Sequence, residues 1–321
     1  MNWCRKIIGI SLLFIISLPV SAQLIDNTST FRNIQSKKYL RFSYDNDFFT
    51  KTDYYYTQGI TIEYVHPRMK NFALAKLLIK PGNSENKFGV TANLFGYTPT
   101  SISSNAILYG DRPYQSALSI KTFITGSDTI RQHRLASAIS IGVFGPLAQG
   151  EEMQTIIHRW VKNKIPRGWD NQIQNDVIIN YQLNYEKKLV ETGNGLLING
   201  AAEARMGTLH DRIGAGINFM AGHFNDPYSS GQRKKIEYYL YGQSRVNFIG
   251  YDATMQGGIF NRKSPYTIRA GDISRITFQA DAGIILNFRN LYFSYTQSFL
   301  TKEFETSRYH RWGGVSFGFS F

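Results

Sequence analysis

Cysteine is almost absent from this 321-residue chain: the single one is Cys4, near the N-terminus. Downstream of it there can be no disulfide framework, no thiolate metal site and no cysteine nucleophile. Long apolar runs are missing too. After Ala22 no stretch approaches the roughly 20 residues that a spanning helix needs, which argues against a helical membrane protein. Acidic residues are outnumbered, 23 against 36 basic, for a formal net charge of +13. An excess of this size suits an anionic partner. For a secreted chain we expect a phosphorylated lipid surface, with no nucleic acid.

Secretion is read from the first residues. Arg5 and Lys6 precede an apolar run from Ile7 to about Val20, and Val20-Ser21-Ala22 has the small residues of a cleavage site. This is the pattern of a signal peptide, residues 1–22, removed after Ala22. Cys4 lies ahead of the apolar run, so it cannot be a lipid-attachment cysteine. Residues 23–321 then form one domain, with no internal repeat or second unit.

Aromatics are abundant, 14% of residues with 20 Tyr and 22 Phe. The chain ends on a strict alternation, Val315-Ser316-Phe317-Gly318-Phe319-Ser320-Phe321. Large apolar groups on one face, small or polar ones on the other and an aromatic last residue suit the closing strand of an outer-membrane β-barrel. Alternation elsewhere predicts an all-β, antiparallel transmembrane barrel of twelve strands, near 38–47, 55–65, 87–96, 114–125, 131–144, 173–189, 196–207, 212–223, 236–250, 274–288, 291–304 and 308–321. Leu291, Phe293, Tyr295 and Phe299 point one way, while Ser294, Thr296 and Ser298 point the other. A periplasmic N-terminus makes 48–54, 97–113, 145–172, 208–211, 251–273 and 305–307 the external loops.

One external loop predicts a helix. From Gly150 to Lys164, Met153, Ile156, Ile157, Trp160 and Val161 recur at three- and four-residue spacing, with Glu151 and Glu152 early and Arg159 and Lys162 late. That charge order complements the helix dipole, and Pro166 stops the helix. We expect it over or in the barrel mouth. Gln154 and His158, four apart, share a face beside the apolar stripe. By this topology His66, His133 and His223 lie at the periplasmic end, leaving His158, His210 and His310 outside. A neutral histidine beside a carboxylate can act as a general base toward water.

Strand parity places Arg41, Ser43, Asp45 and Asp47, and Thr57, Gly59, Thr61 and Glu63, on the lumen face, opposite Tyr56, Ile60, Ile62 and Tyr64. Asp47 and Thr57 should meet at the outer lip. Asn46 has the other parity and joins them only if the strand ends or bulges there. Such oxygens suit a hard cation such as calcium, or are an ordinary polar rim. Gly314-Val315-Ser316-Phe317-Gly318 fits a nucleophile-elbow pattern, but Ser316 lies within a strand and is rejected as a nucleophile.

Tyr44-Asp45-Asn46-Asp47-Phe48-Phe49 followed by Thr52-Asp53-Tyr54-Tyr55-Tyr56-Thr57-Gln58-Gly59 resembles the N-terminal signature of the outer-membrane lipid A 3'-O-deacylase family. Tyr97-Thr98-Pro99, Asp111-Arg112-Pro113-Tyr114, Gly145-Pro146, Gly150-Glu151, Gln154, His158, Trp169 and Gln172-Ile173 are similar to that family in order. The resemblance implies calcium-dependent removal of the 3'-linked acyloxyacyl group of lipid A in the outer leaflet. It also implies His158 as the base that activates water, Asn46, Asp47 and Thr57 at the metal and the water, and Gln154 in support. The family pattern carries a lysine before the Gly-Asp-Arg segment and an acidic residue five or six positions after the histidine. Here no lysine stands between Lys87 and Lys121, and Asn163 and Lys164 follow the histidine. Arg112 is the expected stand-in for the lysine. The other readings are a non-catalytic barrel, channel or surface-binding protein, and a phospholipase barrel using Ser and His. The protein is expected to be a monomer.

Overall fold

The computed structural model describes residues 26–50, 54–82, 84–193, 195–229 and 234–321. The expected signal peptide lies outside them. Twelve antiparallel strands close into one barrel in sequence order. They are β1 (Tyr39–Asn46), β2 (Tyr55–Val65), β3 (Lys87–Thr98), β4 (Gln115–Asp128), β5 (His133–Phe144), β6 (Asp176–Thr192), β7 (Leu196–Gly207), β8 (His210–His223), β9 (Ile236–Asp252), β10 (Ile276–Phe288), β11 (Leu291–Leu300) and β12 (His310–Ser320). Each expected strand is found, with ends shifted by up to four residues. Closure pairs β1 with β12 from Tyr39↔Ser320 to Asn46↔Gly313, so no sheet edge is left unpaired in the membrane. No described helix is long and apolar enough to cross a membrane.

The two faces separate as period-2 alternation requires. On β6, Val177 and Ile179 are exposed to the outside while Asp176, Asn180 and Gln182 are buried inside. Several lumenal charges pair with one another: Glu203 takes Arg205, Arg212 and Arg245, and Arg41 takes Glu63 at 2.5 Å. Ser316 donates to Ser43 on the neighbouring strand at 2.8 Å, fully buried, as a strand residue and not an elbow nucleophile. At the end opposite the long loops His66 stacks on Tyr64 and His223 on Tyr238, while His133 lies tilted beside Tyr185, an aromatic girdle of the kind found at a membrane interface.

Alternation did not reveal what fills the barrel. Residues 26–34 enter the lumen ahead of β1 and are held by its wall. The Thr30 N–H donates to Glu186 (2.8 Å), Arg41 donates to the Arg32 carbonyl (2.7 Å), and Phe31 stacks on Tyr241 with centroids 4.4 Å apart. Asp26 accepts from Gln182 and Asn184.

Candidate active site

Two local irregularities build the site. β1 ends at Asn46, and the chain turns into a 3-10 helix, Asp47–Thr50. Opposite, the β2–β3 register slips between Tyr56 and Gln58, so Thr57 is the extra residue of a bulge. The bulge reverses two expectations. Tyr56, assigned to the lipid face, points into the lumen, where its hydroxyl donates to Asp45 at 2.6 Å and its ring meets Tyr97 and Trp312. Thr57, assigned to the lumen, instead bonds Thr98 through their hydroxyls at 2.8 Å. Thr98 has the parity opposite to the lumenal Phe95 and Tyr97. Gly59 makes room for the inward tyrosine: a Cβ there would lie 2.1 Å from the Tyr56 hydroxyl.

Asn46 joins Thr57 on this outward side, because its strand ends and its partner bulges at the same level. Its amide nitrogen donates to the Thr57 carbonyl at 2.5 Å, and its amide oxygen accepts from the Phe48 N–H at 2.7 Å. Asp47, buried at the rim, accepts the Tyr54 N–H at 2.8 Å.

The predicted helix is present as α1 (Gly150–Trp160), but not in the mouth. It lies against the outward face of the wall. A Cβ on Gly150 would meet the Ser116 Cβ at 2.4 Å and the Trp169 ring at 2.7 Å. Ser116 pairs with Gly96, and both carry the parity opposite to the lumenal Ala117 and Phe95. Trp169 fills the corner between helix and strands: its ring stands 3.8 Å from a Gly96 Cβ position, and its indole N–H donates to the Gln154 amide oxygen at 2.8 Å. Tyr114 closes the other side, its ring centroid 5.0 Å from that of Trp169. Burial pushes its hydroxyl up to about 12, so it stays neutral.

The buried residues of α1 are Gly150, Gln154 and His158, one stripe at four-residue spacing. The shared face of Gln154 and His158 is therefore observed. How α1 ends decides the imidazole's orientation. Lys162 adopts φ +56°, the Lys162 N–H donates to the Arg159 carbonyl, and the Asn163 N–H donates to the His158 carbonyl at 2.8 Å. This is a Schellman closure with lysine in the place usually held by glycine. It folds the chain back so that the Lys164 carbonyl meets His158 Nδ1. A carbonyl only accepts, so Nδ1 carries a proton, and in the neutral ring Nε2 is the nitrogen with the free lone pair. A main-chain oxygen thus holds the ring.

The other outer histidines are lumenal. His210 sits 3.4 Å from Asp252, and His310 accepts the Tyr56 N–H at 3.3 Å. His158 alone of the three is on the side of Asn46 and Thr57. Arg112 is not brought there. It is buried on the lumen side, ion-paired with Glu303, donating to Thr254 at 2.7 Å and lying 3.8 Å over the Tyr97 ring. In that position it braces the outer loops, which departs from the expectation that it replaces the lysine. Sequence reasoning had not assigned roles to Ser116, Gly96 or the Lys164 carbonyl; the glycines in Gly145-Pro146 and Gly150 were the available signal.

As to a cation, no group of three or more His, Cys, Asp or Glu suited to a metal occurs among the described residues. The oxygens near the rim are the Asp47 carboxylate, the Thr57 carbonyl and hydroxyl and the Asn46 amide oxygen, the last three already engaged in hydrogen bonds to Asn46, Thr98 and Phe48. That chemistry fits a hard cation.

Comparisons place these features in context. LpxR from Salmonella typhimurium superposes with a TM-score of 0.73 at 20% identity, over 88% of this chain and 100% of that one. The Bordetella autotransporter BrkA β domain gives 0.45 at 7% identity, over 89% and 99%, and the Neisseria meningitidis NalP translocator domain 0.44 at 9%, over 90% of each. Comparison with curated proteins found no match. The family model described as outer membrane protein LpxR matches residues 8–321, so this chain is a twelve-stranded outer-membrane β-barrel that belongs to the LpxR family.

Proposed function

We propose that the protein is a lipid A 3'-O-deacylase, hydrolysing the ester of the 3'-linked acyloxyacyl group in the outer leaflet. The observation that carries this reading is the buried Gln154–His158 stripe of α1, seated with Trp169 on β3 and β4, on the same outward face of the wall as Asn46 and Thr57. Membrane lipid reaches the outside of a barrel wall, not its lumen. His158 Nε2 removes a proton from water as the oxygen attacks the ester carbonyl. The proton then passes to the departing sugar oxygen, and the acyloxyacyl chain leaves as a carboxylic acid. Gln154 holds Trp169 and so the distance of the helix from the wall. Calcium held by oxygens of Asn46, Asp47 and Thr57 would supply positive charge for the developing oxyanion. The lumenal segment 26–34 counts against the channel reading.

Three expected outcomes test this. Asp47→Ala lowers deacylation on the order of 10²-fold, the cost of losing one oxyanion-stabilising contribution. In the unmutated protein, chelation abolishes turnover, and calcium restores it while magnesium does not. Full activity in chelator would remove the metal from the proposal. Gly150→Ala forces a Cβ against Ser116 and Trp169, an overpacking cost of about 1–3 kcal/mol. Deacylation should fall while the heat-modifiable gel migration of the folded barrel is kept. Equal loss of both would mean that the helix seat is needed for folding and not for chemistry.

A further inference from the structure

The amphipathicity of α1 is inverted. A helix on a water-exposed protein buries its apolar stripe and exposes its polar one. Here the buried stripe is Gly150, Gln154 (2% exposed) and His158 (8%), while Ile156 is 65% and Trp160 85% exposed. Val161, next to Trp160, extends the bare apolar surface, and Leu147 before the helix is exposed as well. Contiguous exposure of this kind marks a partner surface.

Two further observations say what covers it. The first is charge. From Gln154 to Arg167 there is no acidic residue, and Arg159, Lys162, Lys164 and Arg167 are all exposed. None of the four side chains is ion-paired among the described residues. The second is level. Gly150 rests on Ser116, and the next outward residues of β4 are Leu118 and Ile120, both exposed to the membrane side. At about 3.3 Å per strand residue, the start of the helix stands roughly 7 Å above the first lipid-facing leucine. That is the boundary between acyl chains and headgroups, where Trp and basic side chains concentrate.

We propose that α1 and the turn after it form a docking surface for the lipid A leaflet. Ile156 and Trp160 enter the acyl layer, and Arg159, Lys162, Lys164 and Arg167 take the lipid A phosphates. Docking does not require hydrolysis, so its test is independent of the enzymatic reading.

Cys4, in the expected leader, is the only cysteine, so single labels can be introduced cleanly. Spin labels at Ile156→Cys and Glu152→Cys are compared in the full barrel in vesicles of lipid A, dephosphorylated lipid A or phosphatidylcholine. Collisions with oxygen and with a water-soluble nickel chelate report depth. In lipid A the label at 156 should be several-fold richer in oxygen collisions than that at 152. Neutralising the four basic residues (R159Q, K162Q, K164Q, R167Q), or removing the phosphates, should move it toward water. Quenching of Trp160 by brominated acyl chains, lost in W160F while buried Trp169 and Trp312 remain, gives a label-free check on protein whose folding is verified by gel migration. Equal nickel access at 156 and 152 in lipid A would overturn the proposal. Unchanged depth after charge neutralisation and in dephosphorylated lipid A would overturn the phosphate contact.

Discussion

His158→Gln is expected to leave the barrel folded and to cut deacylation by on the order of 10²–10⁴-fold, the usual range for loss of a general base. Glutamine is close in size and its amide can still donate to the Lys164 carbonyl, so the seat against the wall is preserved. It has no basic lone pair, so water is no longer activated. Mass spectrometry of lipid A from a Gram-negative host expressing each version reads the result directly: the species lacking one acyloxyacyl unit appears with the unmutated protein and all but vanishes with the variant. Undiminished deacylation would take His158 out of the reaction and send the search for a base back to the rim. His210→Gln and His310→Gln, both lumenal, should retain turnover, which separates a role at this position from a general sensitivity of histidines.

Deleting residues 26–34 is expected to turn a sealed barrel into a conducting one. These residues lie across the lumen, with Arg32 donating to the Tyr241 hydroxyl at 2.9 Å, the Tyr239 hydroxyl donating to the Phe31 carbonyl at 2.8 Å, and Phe31 almost fully buried. Their removal uncovers Glu186, Arg41 and the tyrosines, polar groups that water can satisfy. The inter-strand ladder does not depend on them. Ion conductance in planar bilayers should therefore rise from baseline. Thermal stability should fall by several kcal/mol, since Phe31 by itself is a buried aromatic whose loss typically costs about 3–5 kcal/mol. Conductance that stays at baseline would mean that wall side chains close the lumen unaided. If the unmutated protein conducts as readily, the channel reading returns.

Both expectations draw on features of different legibility. Strand number and facing were readable because period-2 alternation is local: Val177 and Ile179 outward with Asn180 and Gln182 inward needs no knowledge of the neighbouring strands. The helix was readable for the same reason. Spacing of three and four residues, acidic and then basic turns and a following proline are all local, and they put Gln154 and His158 on one face. Strand parity singled out Asp47 and Thr57, whereas Asn46, of the other parity, became a candidate through the family resemblance.

The side of the wall was decided only in three dimensions. A bulge adds one residue and leaves no mark in composition, yet it sends Tyr56 into the lumen and Thr57 outward, and so moves the polar cluster from the mouth to the membrane side. The seat of α1 depends on Ser116, Gly96 and Trp169 meeting from three separate segments. Arg112 finds Glu303 across 191 residues, and Thr30 finds Glu186 across 156. A polar lumen hides its filling segment, because residues that pair with barrel walls look, in one dimension, like residues that face water. The sequence by itself determined a closed barrel and an amphipathic external helix, both of which follow from short-range periodicity, while the candidate reactive groups came from a family resemblance. Tertiary structure decided which face those groups share and that the lumen is filled, because both depend on register and on contacts between distant strands.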